Sequence, residues 1–204
     1  MYKLAVLMLV SVLPGIGQAP PPAGAAQAQP TASPVLSAMK TELARSQEKL
    51  KSQPIPPYYL SYEVTETDSF GVSGAFGQIT NSSENRLRQL DVDLRVGDYS
   101  LDNTREIRGE PSFTQFSAVA FPIENDPDAI RAVLWYHTDQ RYESALEQFT
   151  KVKTNVQVKV AQEDATTDFS REAPQQYSEP VADIHVDRKA WEDKIRKYTA
   201  PFAR

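Results

Sequence analysis

Hydrophobic residues recur along this chain with two different periods, and the change of period marks its structural elements. Between residues 36 and 50, apolar residues lie three or four positions apart, with charged residues between them. That spacing predicts an amphipathic helix of about four turns. It begins at Ser33-Pro34, because Ser is favoured as an N-cap and Pro at the first helical position. The prolines at 54, 56 and 57 end it.

The following stretch changes to a period of two, which is typical of strands. We predict strands at 58–67, 70–80, 90–96 and 99–102. The clearest is 90–96, where one face carries Leu90, Val92, Leu94 and Val96 and the other carries Asp91, Asp93 and Arg95.

Short connections join these predicted strands. We predict turns at Asn81-Ser82-Ser83 and Gly97-Asp98, and a bulged strand near Gly74 and Gly77. Short links between successive strands favour a mostly antiparallel sheet with one covered face and one solvated face. A polar excursion follows at 104–125, containing Phe113, Phe116 and Phe121. It is longer than a typical connector, which indicates a functional or mobile segment.

A second long helix is predicted from Asp126-Pro127, with Asp as its cap and Pro in its first turn. Its expected inner stripe contains Ile130, Val133, Leu134, His137, Arg141, Ala145, Leu146 and Phe149. Residues 151–160 fit either a helix or a strand, and we favour a continued helix that frays. A linker at 161–182 leads to a third helix at 187–198.

These elements predict an α+β fold: a mostly antiparallel sheet of about four strands, two long helices packed on one face, and a C-terminal helix. The predicted units are a signal peptide at 1–28, a disordered Pro/Ala/Gln-rich spacer at 29–34, an α/β domain at 35–160, and a linker with its helix at 161–204.

The N-terminus resembles a secretion signal. Lys3 is followed by the apolar run LAVLMLVSVL, which ends before Pro14. Such a run is shorter than the roughly 20 residues that a membrane span needs. Small-residue cleavage patterns follow at 23–25 and 26–28. We therefore predict a periplasmic or extracellular protein with no membrane span after cleavage; the alternative is a buried N-terminal helix.

Composition excludes several classes of function. The chain has 22 basic and 27 acidic residues, a net charge of −5, and no Cys. Nucleic acid is therefore a poor partner, because affinity for it comes mainly from Lys and Arg at phosphates. The absence of Cys excludes disulfides within this chain and a lipid-anchoring cysteine.

Acidic residues and histidines give no strong metal-binding pattern. Asp91 and Asp93 share a strand face, with Asp98 and Asp102 nearby, but a hard cation needs several further oxygen ligands, and we favour the solvated face of a half-buried sheet. His137 has Arg141 where a helical metal pair would need a second His. His185, between Asp183 and Asp187, fits a loop or capping position.

Glycines and serines give no catalytic motif. Gly71, Gly74 and Gly77 lack the Lys-Ser/Thr ending of a phosphate loop and begin no helix. Ser73 has no base that the sequence would place beside it. We therefore assign no catalytic, cofactor-binding or metal-binding residue in this chain.

Several blocks of the chain resemble the N-terminal domain of the TldD/PmbA metallopeptidase family in its exported form. The blocks are AMKTELARSQEKL, PYYLSYEVTET, LDVDLRVGDYSLDNT at 90–104, PIENDPDAIRAVLWYHTDQRYESALEQF at 122–149, and DFSREAP at 168–174. The resemblance covers about residues 36–200. The most specific part is LRVGDYSLDNT ahead of the second helix.

The resemblance implies a two-domain metallopeptidase whose N-terminal domain supports dimerisation and covers the substrate channel. A C-terminal domain would carry a His-Glu-x-x-x-His helix and a downstream Cys that bind a zinc-like metal. This chain contains neither His-Glu nor Cys. The implied partners are a TldD/PmbA-like catalytic domain or subunit, and extended peptides. The alternative is a free-standing envelope binding or scaffold protein.

Overall fold

The structure is a computed structural model that describes residues 2–11, 33–107, 109, 118–158, 167–179 and 185–203. In chain order, its elements are β1 (Tyr2–Ser11), α1 (Pro34–Leu50), β2 (Pro57–Ala75), β3 (Gln78–Val96), β4 (Val119–Ala120), α2 (Pro127–Val158) and α3 (Arg188–Thr199), followed by a 3-10 turn at Ala200–Phe202. The four strands form one antiparallel sheet in the order β1-β2-β3-β4. The predicted α+β class is confirmed.

The core lies between α1, α2 and one face of the β2–β3 hairpin. Leu90, Val92, Leu94 and Val96 are all buried on this face, as their alternation predicts. The register places Val92 opposite Tyr62 and Leu90 opposite Val64, so the two strands bury the same face. The strand faces predicted for 90–96 are therefore correct, except that one residue of the outer face is also buried, as described below.

The helices begin close to their predicted positions. Pro34 and Pro127 are the first residues of α1 and α2. Asp126 caps α2, since its Oδ1 accepts a 2.9 Å hydrogen bond from the Asp128 amide. Ser33 occupies the predicted cap position of α1, but its side chain makes no capping hydrogen bond. Helix α2 extends through Val158, which confirms the helical interpretation of 151–158; residues 159 and 160 lie outside the described ranges.

The hairpin differs from its prediction in length and turn position. β2 and β3 are 19 residues each and join at a two-residue turn, Phe76-Gly77. The predicted turn at Asn81-Ser82-Ser83 is wrong, because these residues belong to β3. The predicted bulge is confirmed by a shift of register at Ser73/Gly74. The predicted return strand at 99–102 is reduced to a single bridge between Gly97 and Asp102.

Helix α3 packs on the distal half of the hairpin, beyond α1 and α2. Its Glu192 accepts a 2.7 Å hydrogen bond from Ser82, and a Cβ added to Gly74 would lie 2.6 Å from Ile195 Cγ2. A side chain at position 74 would therefore collide with Ile195 and with the Gln78 carbonyl oxygen, also at 2.6 Å. Side chains alternate along β2, so Gly74 lies on the same face as Leu60 and Tyr62.

Residues 2–11, predicted to belong to an export signal, pair with β2 from Tyr2 opposite Ser69 to Ser11 opposite Leu60. These residues form a strand and not the helix of the alternative interpretation. Export of the chain stays a prediction, and removal of residues 1–28 would uncover this edge of β2. The cleavage patterns, and the spacer before Ser33, lie outside the described residues. Within those residues, each helix falls short of the length or apolarity that a membrane crossing requires.

Candidate functional site

The paired aspartates of β3 lie in different surroundings. Asp91 is half-buried opposite Glu63 on the outer face. Asp93 is buried, only 6% exposed, and forms a 2.7 Å ion pair with Arg95. The expectation that Asp93 lies on a solvated face is wrong, because a later segment of the chain lies over this end of the sheet. Arg95 neutralises Asp93, so the two aspartates do not form a carboxylate pair for a cation.

The histidines are not brought together as metal ligands. His137 is half-buried on α2, with its ring 5.1 Å from that of Tyr136. Burial, and then the charge of Arg141, lowers the pKa of His137. His185 is exposed ahead of α3, whose N-cap is Asp187. Among the described residues, no three His, Asp or Glu side chains are grouped to hold a metal ion.

The buried stripe of α2 runs beside His137 and Arg141, not through them. Both residues are half-buried, while their neighbours Thr138 and Tyr142 are buried. The Thr138 hydroxyl lies 2.6 Å from that of Tyr62 and donates to the Leu134 carbonyl. Including His137 and Arg141 in the inner stripe is therefore wrong, because Thr138 reaches the core through these hydrogen bonds.

The glycines and Ser73 belong to the hairpin. Gly71 and Gly74 are strand residues, and Gly77 has a positive φ of 77° in the turn. The Ser73 hydroxyl lies 3.2 Å from that of Thr80 across the hairpin. These contacts agree with the strand interpretation and supply neither a base for Ser73 nor a phosphate loop.

The most organised polar cluster surrounds Asp102, directly after β3. Asp102 is fully buried and accepts hydrogen bonds from the Tyr58 hydroxyl at 2.6 Å, the Thr104 amide at 2.7 Å and the Thr104 hydroxyl at 2.6 Å. Burial raises the pKa of the Tyr58 hydroxyl most, and its hydrogen bond to Asp102 raises this pKa further. The neighbouring Asn103 is also fully buried and accepts a 2.8 Å bond from the Val96 amide. Asp102 and Asn103 therefore fix the chain reversal after β3.

The segment 167–171 is attached to this cluster. The Asp168 carboxylate accepts from the Asp102 amide at 2.9 Å and from Arg105 Nε at 2.7 Å. The Phe169 ring stacks on Arg95, with 3.6 Å from the guanidinium carbon to the ring centroid, and its amide donates to the Tyr99 carbonyl. We name this set, which is Tyr58, Asp93, Arg95, Asp102, Asn103, Arg105, Asp168 and Phe169, the Asp102 cluster.

The Asp102 cluster is built for support more than for catalysis. Its three carboxylates all have hydrogen-bond donors within the chain. A nucleophile or general base needs an accessible atom pointing at a reacting group, whereas Asp102 and Asp93 are buried. The Asn103 side-chain nitrogen is buried without a hydrogen-bond partner. The Asp102 cluster holds the segment 167–171 over the outer face of the sheet.

A second ionic cluster fixes the middle of the hairpin. Buried Arg88 donates to Glu66 at 2.7 Å, to the Pro122 carbonyl at 2.8 Å and to Asn125 at 3.0 Å. Burial works against the ionised form of Glu66, but the hydrogen bonds from Arg86 and Arg88 outweigh it, so the pKa of Glu66 lies below its usual value.

We expect Glu66→Gln to weaken the acid sensitivity of the fold. The lowered pKa of Glu66 stabilises the protein at pH values above the unfolded pKa, and this stability is lost as the pH falls through the folded pKa. Urea denaturation at pH values from about 6 to about 3 should therefore show a smaller acid-induced loss in Glu66→Gln than in the unsubstituted chain. Glu143→Gln, on the exposed side of α2, is the control; an equal change in both would contradict the assignment.

A shallow cleft lies between α1 and α2, with a volume of about 350 Å³. Buried Glu42 lies in its wall, and it accepts from Arg45 Nε at 2.7 Å and lies 3.5 Å from Arg131 Nε. Trp135 completes the rim. Glu42 on α1 thus pairs with Arg131 on α2 and with Arg45. Because its negative charge offsets those of the arginines, the cleft has little net positive charge with which to bind an anion.

Exposed aromatic side chains lie at the hairpin turn and along α3. The Gly77 amide donates a 3.0 Å hydrogen bond to Thr199, which places Phe76 beside the residues around Ala200. The exposed fractions are 64% for Phe76, 64% for Tyr198 and 69% for Phe202, and Trp191 is 42% exposed further along α3. We name these four residues, Phe76, Trp191, Tyr198 and Phe202, the tip surface.

Neither the Asp102 cluster nor the tip surface is predictable from the local sequence pattern. Asp102 and Asn103 are polar residues after a strand, and local pattern does not reveal that a segment some sixty residues later covers them. The sequence did contain an indication of the hairpin turn, because Gly77 follows Phe76 and Gly is favoured in two-residue hairpin turns. The more polar Asn81-Ser82-Ser83 was the stronger turn pattern.

Comparison of the chain with family models, with curated proteins and with solved structures found no match. The relationship to TldD/PmbA therefore stays a prediction from the sequence blocks.

Proposed function

We propose that this chain is a noncatalytic N-terminal module of a TldD/PmbA-like metallopeptidase, where it makes subunit contacts and guides peptide substrates. The observation that carries the proposal is the Asp102 cluster. It joins the block at 90–104 to the block at 168–174, through Asp168 on the Asp102 amide and Phe169 on Arg95. Two blocks on which the resemblance rests thus build one non-local contact.

The residues of this chain do not fit the metal site that the family implies. A hydrolytic zinc site uses three protein ligands and an open position. The chain has no Cys, and its two histidines lie on α2 and ahead of α3, with no grouped ligands in the described ranges. In this proposal the metal belongs to a separate catalytic domain or subunit, and no catalytic step is assigned here.

The partner can be tested by its own chemistry. Affinity capture with the tagged chain, from cells that normally produce it, should recover a protein with a His-Glu-x-x-x-His motif and a later Cys. Such a protein should be encoded beside this chain or in frame after Arg204. Peptide cleavage by the complex should disappear when the partner's motif Glu is changed to Gln. Absence of any such partner, in the DNA and in the captured material, would contradict the proposal.

The purified chain alone is expected neither to bind stoichiometric zinc nor to cleave an unstructured peptide. Metal analysis after zinc incubation and a peptide-cleavage assay measure the two properties. His137→Ala is the matched variant, because His137 is the histidine on a long helix. Stoichiometric zinc together with turnover, both lost in His137→Ala, would show a catalytic centre in this chain.

The alternative is a free-standing envelope binding or scaffold protein, and the tip surface favours it. Large aromatic side chains at one end of a soluble domain are typical of interaction surfaces. Both proposals include export. N-terminal sequencing of protein recovered from the cell envelope should begin between about residue 24 and the start of α1; protein with intact Met1 in the cytosol would contradict export.

A further inference from the structure

The tip surface combines aromatic exposure with backbone strain. Phe76 has a φ of 53°, the left-handed region that L-residues rarely adopt, and it is the only described non-glycine residue with a positive φ. Asn or Asp followed by Gly is the usual solution for this two-residue turn. Phe76 is 64% exposed, so packing within the chain does not offset the strain. A strained, exposed aromatic residue indicates a role outside the fold.

The end of the hairpin is uncharged, and α3 beside it carries exposed basic groups. Residues 71–83, at the end of the hairpin, contain no Asp, Glu, Lys or Arg. Helix α3 contains five basic and two acidic residues; Arg188, Lys189 and Arg196 form ion pairs with Glu84, Asp193 and Glu192, whereas Lys194 and Lys197 form none among the described residues. One of these basic groups, Lys194 Nζ, lies 4.5 Å from the Trp191 ring centroid.

We propose that the tip surface docks on an anionic lipid bilayer. Aromatic side chains beside Lys and Arg are the composition of interfacial membrane contacts: the rings enter the headgroup region while the basic groups face anionic lipid. The uncharged end of the hairpin can approach that region without desolvating a charge.

The two tryptophans of the chain provide a local test. Trp191 belongs to the tip surface, while Trp135 is exposed on α2, on the rim of the α1–α2 cleft. In a Trp135→Phe variant, vesicles of phosphatidylglycerol and phosphatidylcholine should shift Trp191 emission to the blue, and brominated lipid should quench it. In the reciprocal Trp191→Phe variant, Trp135 emission should not change. Because these readouts report position, membrane attachment through residues 1–28 does not imitate them.

Substitutions separate the aromatic and electrostatic contributions. Phe76→Asn with Phe202→Ser should reduce vesicle affinity at least about ten-fold, while Tyr136→Ser, on α2, should leave it unchanged. Lys194→Gln and Lys197→Gln should each reduce it about five-fold, and added salt should weaken binding by the unsubstituted chain. Circular dichroism and thermal melting verify that each variant is folded.

The inference would be overturned if Trp191 emission did not respond to anionic vesicles, or if Trp191 and Trp135 emission responded equally. Undiminished vesicle affinity in the folded Phe76→Asn/Phe202→Ser variant would overturn it as well. The inference would also be overturned if the chain used the same aromatic residues to bind an acidic protein and did not bind vesicles. The inference is independent of the proposed peptidase partner. Vesicle binding by a chain that captures no peptidase subunit would support the inference and contradict the proposed function.

Discussion

Val92→Asp is expected to unfold the domain, or to cost about 4 kcal/mol or more of its stability. Val92 is 2% exposed, in the middle of β3, opposite Tyr62 and between Leu90 and Leu94. A carboxylate there would lie under α1 and α2 with no basic group among these neighbours. Urea denaturation of the purified protein measures the loss, and circular dichroism detects complete unfolding.

The matched control is the adjacent residue, Asp91→Asn. Asp91 is half-buried on the outer face, directly opposite Glu63. Like charges on opposing strands are slightly destabilising, so removing this charge should leave stability unchanged or raise it by a few tenths of a kcal/mol. Comparable losses in Val92→Asp and Asp91→Asn would contradict the assignment of faces in β3.

The contrast between these neighbours shows how much of the fold could be predicted from local pattern. The alternation at 90–96 was sufficient to assign the buried face, because Leu90, Val92, Leu94 and Val96 each depend on the same apolar layer. The starts of α1 and α2 were also predictable, since a cap residue followed by Pro at the first turn acts within three residues.

Local pattern could not predict features that depend on distant segments. Asp93 follows the same alternation as Asp91, yet it is buried because Phe169 stacks on its partner Arg95. The hairpin beyond Phe70 has little apolar alternation, and among the described residues its outer end packs on α3. Its turn therefore could not be located by periodicity. Both failures concern long-range contacts.

At the tip turn, Phe76 has a strained backbone and an exposed ring, so replacing it should stabilise the protein. Phe76→Asn should raise stability by about 1 kcal/mol, because Asn adopts the left-handed conformation more readily than Phe and Asn-Gly suits this turn. Thermal melting measures the change. Ser73→Asn, on the neighbouring strand, is the control and should not stabilise. A loss of stability in Phe76→Asn would mean that the exposed ring contributes packing.

Asp102→Ala is expected to cost about 3 kcal/mol or more, because one buried carboxylate serves three donors in the Asp102 cluster. Its loss leaves the Tyr58 hydroxyl and both Thr104 donors without their acceptor. A buried group left unsatisfied costs about 1–3 kcal/mol, and bonds to charged groups are the stronger ones. Urea denaturation should show this loss, with Tyr58→Phe losing only about 1 kcal/mol because it removes a single donor.

The same substitution tests whether the Asp102 cluster holds the segment 167–171. Asp168 accepts from the Asp102 backbone amide, which the substitution keeps, and from Arg105. Loss of the carboxylate removes the bonds to Tyr58 and Thr104 that fix the backbone at 102, so the amide should move and release the segment. Trypsin should then cut after Arg171 faster in Asp102→Ala than in the unsubstituted chain, at a denaturant concentration where both are folded. Ser170→Ala, an exposed change in the segment itself, should leave the rate unchanged. Equal cleavage in Asp102→Ala and the unsubstituted chain would mean that the Asp102 carboxylate is not needed to hold the segment, and that the hydrogen bonds of Asp168 and the stacking of Phe169 on Arg95 hold it.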